Sequence, residues 1–246
     1  MSTLLDFVLT SQYSGLRHLL QWSMPTGHRA RLPGAAPHHE GIRMRITLTN
    51  VTKGPNDSAL PLTSLEFESG THTLATAETE RRPTVLGLIA SGRMRPDSGT
   101  VTLDGRTDYA GLRRHIALID ALGVSEPAAD VTVAEVVSEE LMFAGRLGHR
   151  RAVAVMLDEL GLGGHGRENM ADLDPDSRIR LLTELAVLRD DVQGIVLTSP
   201  DRHGGDPLGW WQITGALADR GYAVLVIAGD ASAHAINNID RLGAEL

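Results

Sequence analysis

At 246 residues the chain can bury a full core, either as one domain or as a domain with a subdomain. Its formal charge of −8 argues against a nucleic-acid binder, which presents a basic face, and the absence of cysteine excludes a disulfide framework and a thiolate zinc site. No apolar run approaches the ~18 residues of a membrane-spanning helix, and the first residues lack the basic start and cleavage site of a signal peptide, so a soluble, cytoplasmic protein is expected.

Residues 1–22 carry two apolar patches, Leu4 to Leu9 and Leu16 to Trp22, spaced for short amphipathic helices. Pro25 to Gly41 follows as a Pro-, Gly- and His-rich linker, so residues 1–42 form an N-terminal extension and residues 43–246 the main domain, with Met44 a second candidate start. The local excess of arginine suits an arm that docks on a membrane surface or partner; a solvated or packed extension is the simpler reading. Alternation then predicts strands over Met44 to Val51, Leu60 to Phe67 and Thr73 to Thr76. After a tight loop, Val85, Leu86, Leu88 and Ile89 mark a helix, and Thr100 to Leu103 and His115 to Ile119 read as strands. Thr132 to Leu162 is largely helical, and Asp174-Pro175 is a sound start for a helix over Arg178 to Leu188. Gly194 to Leu197 and Tyr222 to Ala228 are buried-strand patterns, each followed by a helix, over Trp210 to Leu217 and Ala231 to Ile236, and a last short strand begins at Asp240. GLGGHG, Gly161 to Gly166, matches GxGxxG but follows a helix, so it is a helix-ending loop instead of a dinucleotide site.

The run SGRMRPDSGTVTLDG, Ser91 to Gly105, resembles the segment after the phosphate-loop helix of ATP-binding-cassette (ABC) ATPases, and the similarity extends from about Met44 to Leu246. The resemblance implies an α/β fold of the P-loop NTPase type: a mainly parallel sheet flanked by helices, an antiparallel β-subdomain, and a helical subdomain over about 121–178 that contacts a membrane partner. In that register TAETERRPT, Thr76 to Thr84, lies over the family's glycine-rich phosphate loop, with all three glycines and the lysine replaced. The nucleotide-binding positions become Thr76, Thr79, Arg81, Arg82, Pro83, Thr84, Asp120 (for the Q-loop glutamine), Asp174 and Ser177 (in LDPDS, for the LSGGQ signature) and Asp206. Thr198 and Ser199 occupy the two Walker B carboxylate positions, and Gly229 stands for the histidine that contacts the γ-phosphate. The adenine-stacking aromatic has no counterpart near Gly54 and Pro55, and the chain's single lysine is Lys53.

Losing the metal-holding and water-polarising carboxylates together removes the main groups for hydrolysis. The expectation is a degenerate, non-hydrolysing pseudo-ATPase with no confident catalytic residue and no metal ligands. It needs no cofactor, with ATP and Mg²⁺ only if the nucleotide site works. Its expected partners are an integral, permease-like membrane protein, a second ABC subunit or a second copy of itself, at the inner face of the cell membrane, with no nucleic acid. The alternatives are a working ABC ATPase in which Arg81 or Arg82 replaces the lysine and Thr84 holds the metal, and an interaction module unrelated to transport. Asp120 is expected to be an ordinary loop residue. Glu78 and Glu80 fall where phosphates would lie, and Glu80 in particular is expected to approach the positive end of the following helix in their place.

Overall fold

The computed structural model of the protein describes residues 43–78 and 82–243. The readings of the N-terminal extension, and those of Thr79, Glu80 and Arg81, lie outside the described residues.

Three strands, β1 (Arg45–Lys53), β2 (Leu60–Glu68) and β4 (Ser98–Leu103), form an antiparallel sheet in the order β2-β1-β4. Four others, β3 (His72–Thr76), β5 (Ile116–Ile119), β6 (Gly194–Thr198) and β7 (Ala223–Ala228), form a parallel sheet in the order β3-β7-β6-β5. The third expected strand, Thr73 to Thr76, does not join the antiparallel sheet of the first two: as β3 it pairs in parallel with β7, from His72 opposite Val224 to Thr76 opposite Ala228. Its five residues are too few to show the difference by alternation alone.

The parallel strands are apolar on both faces because both are covered. Ala117, Ile119, Ile195, Leu197, Val224 and Val226 point into one core, and Ile116, Leu118, Val196, Leu225 and Ile227 into the other. The first core is closed by α3 (Val133–Phe143), α4 (Arg150–Glu159), α5 (Pro175–Ala186) and α6 (Pro207–Asp219), with Trp210 fully buried in it. The second contains α1 (Arg82–Ala90), sandwiched between the two sheets. The short α2 (Tyr109–His115) escapes a periodicity reading because it makes only two turns; Asp108 caps it, accepting from Gly111 N at 2.8 Å.

Local chemistry explains most boundaries. Thr132 and Glu135 form a reciprocal capping box at the start of α3, and Asp174 caps α5 by accepting from Ser177 N at 2.9 Å. Gly161, just past α4, takes φ +74°, as the helix-ending reading of GLGGHG requires. The strand expected from Asp240 does not form, since α7 runs unbroken over Asp230–Gly243. Ile236, Ile239 and Leu242 recur every three residues, which is helical spacing. Lys53 anchors the antiparallel sheet, bonding Asp97 at 2.5 Å, while Asp97 also accepts from Gly54 N at 2.9 Å.

Helix α1 approaches the parallel sheet closely at Gly87, where an added Cβ would stand 2.7 Å from Thr198 Cγ2 and 3.0 Å from Leu118 Cδ1. Gly87→Ala therefore gains helix propensity of about 1 kcal/mol but must push a β-branched neighbour, costing about 1–3 kcal/mol. Net destabilisation is expected, read as a lower urea midpoint with an unchanged slope.

Candidate functional site

In open parallel sheets, ligands collect beyond the carboxyl ends of the strands, where successive loops leave the sheet side by side. Here that edge gathers Glu78 after β3, Asp120 after β5, the turn Pro200–His203 after β6, and Gly229-Asp230 after β7. Two of its residues are held in left-handed backbone without being glycine: Asp120 at φ +56° and Ser199 at φ +47°. Such strain persists only where surrounding contacts impose it.

The contacts at Asp120 are ionic. Its side chain is 1% exposed, and it receives Arg178 Nη2 at 2.8 Å on Oδ1 and His203 Nε2 at 2.7 Å on Oδ2. Arg178 Nε adds a long contact of 3.4 Å, and Arg202 Nη2 sits 3.1 Å from Oδ1 as a charge contact without hydrogen-bond geometry. An ionised carboxylate only accepts, so His203 Nε2 carries the hydrogen it donates there, and the Arg202 Nε 3.0 Å away cannot bond the same nitrogen. The network extends outward. Arg178 Nη1 donates to Met170 O at 2.9 Å, and Arg202 Nη1 pairs with Glu126 at 2.7 Å. The expectation that Asp120 is an ordinary loop aspartate is thus overturned, because its partners lie 58 and 83 residues away in sequence.

Burial alone would push the Asp120 carboxyl up; the bonds from His203 and Arg178 and the charges of Arg178 and Arg202 outweigh it and hold the group at about 2.

The second cluster surrounds the start of α7. Glu78 Oε1 accepts from Asp230 N at 2.7 Å, and Asp201 Oδ2 accepts from Gly229 N at 2.8 Å. Gly229 leaves room for both: an added Cβ would meet Asp201 at 3.0 Å and Glu78 at 3.1 Å. Glu78 therefore satisfies the positive end of α7, not that of α1 as its sequence neighbourhood suggested. The expectation for Glu80 lies outside the described residues.

The remaining positions serve local structure. Thr76 ends β3, and Pro83 and Thr84 lie in the first turn of α1, where the missing amide of proline costs little. Arg82 precedes them with a buried Nε that has no hydrogen-bond partner among the described residues. Thr198 Oγ1 is spent on Ile119 O at 3.3 Å. Asp206 caps α6 through Leu208 N at 3.0 Å, and Ser177 gives its amide to Asp174. Between these caps lies Asp176, whose carboxyl is raised by burial and by the charges of Asp174 and Asp206, so the segment presents three carboxylates.

Several described groups that could meet a magnesium nucleotide are already engaged. The amides of residues 229 and 230 already hold carboxylates, and the Thr198 hydroxyl is committed to the backbone. The Asp120 oxygens, which could have faced a cation, face three cationic or donor groups instead. Among the described residues no group of three or more His, Asp or Glu side chains could hold a metal ion.

A groove of about 290 Å³ adjoins Asp120, lined by Ser125, Glu140, Phe143 and Leu182, with Arg93 and Arg189 among its walls. Burial, then the charges of Arg189 and Arg113, lowers the Arg93 guanidinium to about 10. Glu140 is raised by burial against the opposing charge of Arg189. Apolar side chains stand exposed at the groove's rim and beyond: Phe143 at 55% and, along the same segment, Met142 and Leu147. Among the described residues no helix is long and apolar enough to cross a membrane.

No family model matches the chain. Over 142 residues it is 28% identical to a protein named phosphonates import ATP-binding protein PhnC 1 from Natronomonas pharaonis, a match covering 55% of this chain and 61% of the relative. The chain thus spans about three-fifths of that relative's length. Its structure is similar to that of a nucleotide-free ATP-binding cassette from an ABC transporter, with a TM-score of 0.56 at 17% identity, covering 76% of this chain and 82% of the other. In sequence and fold the chain is ABC-ATPase-like.

The sign of the acid dependence follows from Asp120. Its folded value of about 2 lies below its ordinary 3.8, so its contribution of about 2 kcal/mol is present above pH ~4 and is lost as pH falls through ~2. Asp120→Asn leaves buried arginine unpaired and is expected to cost about 3–5 kcal/mol at neutral pH. Urea midpoints of both proteins measured between about pH 5 and 2 should converge as the wild type loses this contribution.

Proposed function

We propose that this ABC-ATPase-like chain is a non-hydrolysing cassette subunit that serves a membrane transporter or another membrane protein as a structural or regulatory component, from the cytoplasmic face. The reading rests on one observation above the rest: among the described strand ends, the Asp120 carboxylate and the amides of Gly229 and Asp230 are bonded to the chain's own side chains. A phosphate arriving at residues 229 and 230 would have to displace two carboxylates and then face their charge. The acidic segment Asp174, Asp176 and Asp206 would likewise repel a phosphate presented by a second subunit. Any pairing with another cassette subunit, or with a second copy, would therefore run through protein contacts.

The groove beside Asp120 supplies the docking surface in this proposal. Exposed Phe143 and Met142 offer apolar area, and Arg93 and Arg189 line the groove together with the carboxyl groups of Asp120 and Glu140. The name of the PhnC relative favours a transport setting, and import ATPase activity is the competing reading.

Isothermal titration with ATP and Mg²⁺ separates the two. No saturable heat in the micromolar range and no phosphate release are expected. Micromolar binding with turnover abolished by Arg82→Ala would establish a working ATPase instead. For the docking surface, Phe143→Asp combined with Leu147→Asp should abolish co-purification with a co-expressed membrane protein encoded beside the chain, while leaving the urea midpoint nearly unchanged, because both side chains are exposed.

A further inference from the structure

The chain leaves its core at Asp120, at the end of β5, builds α3 and α4, and returns to the core at α5. Between the two crossings the flanking segments are stitched together: Met170 N donates to Val131 O at 2.9 Å, Ala171 N to Ala129 O at 3.1 Å, and Val133 N to Glu168 O at 2.9 Å. The helical unit is joined to the core at the two points where its chain enters and exits, and its apolar side chains pack into the first core.

Both points meet at one carboxylate. Asp120 is the exit residue, and Arg178, which bonds it at 2.8 Å, lies in the first turn of the returning helix. The other two partners, Arg202 and His203, belong to the turn after β6 and so to the core. The outer reaches of the two arginines close the loop on the helical side: Arg178 holds the carbonyl of Met170 in the return segment, and Arg202 holds Glu126 in the outgoing one. Exit segment, return segment and core turn are thus tied through a side chain that is 1% exposed, with Arg178 itself only 4% exposed.

We propose that this Asp120 clasp is a conformational lock: it fixes the helical unit on the core from within the chain, so that the orientation of the unit, and with it the shape of the groove that Asp120 and Ser125 line, is set without any ligand. The physical basis is that a charge buried this deeply has no low-cost alternative partner. Rotating the helical unit would separate Asp120 from Arg178 or from the core turn, stranding a charge away from water. Hydrogen-bonded backbone alone would not resist such a rotation, since flanking segments can turn as hinges while their own bonds stay intact. The lock does not depend on the function proposed above; it rests on these four side chains, added to the apolar packing of α3 and α4 in the first core.

The chain has no cysteine, so a pair of spin labels reports one distance without background. Ala154→Cys on exposed α4 and Ala216→Cys on exposed α6 place one label on the helical unit and one on the core side. In the full chain a single narrow distance distribution is expected, unchanged by millimolar magnesium ATP. Asp120→Asn in the same background should broaden it. A distribution that is already broad, that shifts with ATP, or that stays narrow in Asp120→Asn overturns the lock. Hydrogen exchange supplies the second reading. In the variant, residues 121–132 and 160–174 should exchange roughly tenfold faster or more, with the strands β5, β6 and β7 unchanged. Uniform acceleration across strands and flanks would mean that Asp120 supplies only general stability, and would overturn the proposal. Should Asp120→Asn fail to fold, Arg202→Ala and His203→Ala remove the more exposed members and must show the same confined effect. Because ATP binding is measured by titration and the lock by distance and exchange, each proposal can fail without the other.

Discussion

A carboxylate taken out of water at the end of a central strand must find positive charge, and the need of Asp120 for it organises this molecule's ligand-facing edge. Its left-handed backbone is held in place by the bonds that its side chain makes, and Arg178 and Arg202 are fixed by the same requirement. The arginines then dictate the conformation of the return segment at Met170 and of the outgoing segment at Glu126. Removing the aspartate would leave two guanidinium groups facing each other across a dry strand end.

The same logic repeats, more cheaply, at five of the helix starts. Unpaired amides at a helix start attract negative charge, and this chain supplies it from its own residues at α2, α3, α5, α6 and α7: Asp108, Thr132 with Glu135, Asp174 and Asp206 locally, and Glu78 and Asp201 from distant loops at α7. In a phosphate-binding frame those amides would serve a ligand. At Gly229 and Asp230 they hold the chain's own carboxylates instead.

The surface has a distinct character beside the clasp. Most large apolar side chains lie in the two cores on either face of the parallel sheet, whereas Met142, Phe143, Leu147 and Val155 stay exposed on the helical unit. The charge beneath them is mixed: Arg93 and Arg189 share the groove with Asp120 and Glu140, and burial raises the Glu140 carboxyl.

The sequence by itself determined the framework. Apolar runs at Ile195 to Leu197 and Ala223 to Ala228 read as strands covered on both faces, and Asp174-Pro175 announces a helix start through bonds that close within three residues. The SGRMRPDSGTVTLDG run carried the family resemblance, because turn and strand geometry is encoded residue by residue. The register of β3 against β7 and the continuation of α7 past Asp240 were not decided locally: the first depends on which strand lies beside a short one, and the second pits a helical spacing against the expected end of a fold. Least legible were the contacts of Asp120 and Glu78. Arg178, Arg202 and His203 lie 58 to 83 residues from Asp120, and Asp230 lies 152 from Glu78. No spacing rule spans such separations. Only the tertiary fold, by bringing strand ends together and drying the space between them, decided which charges had to meet.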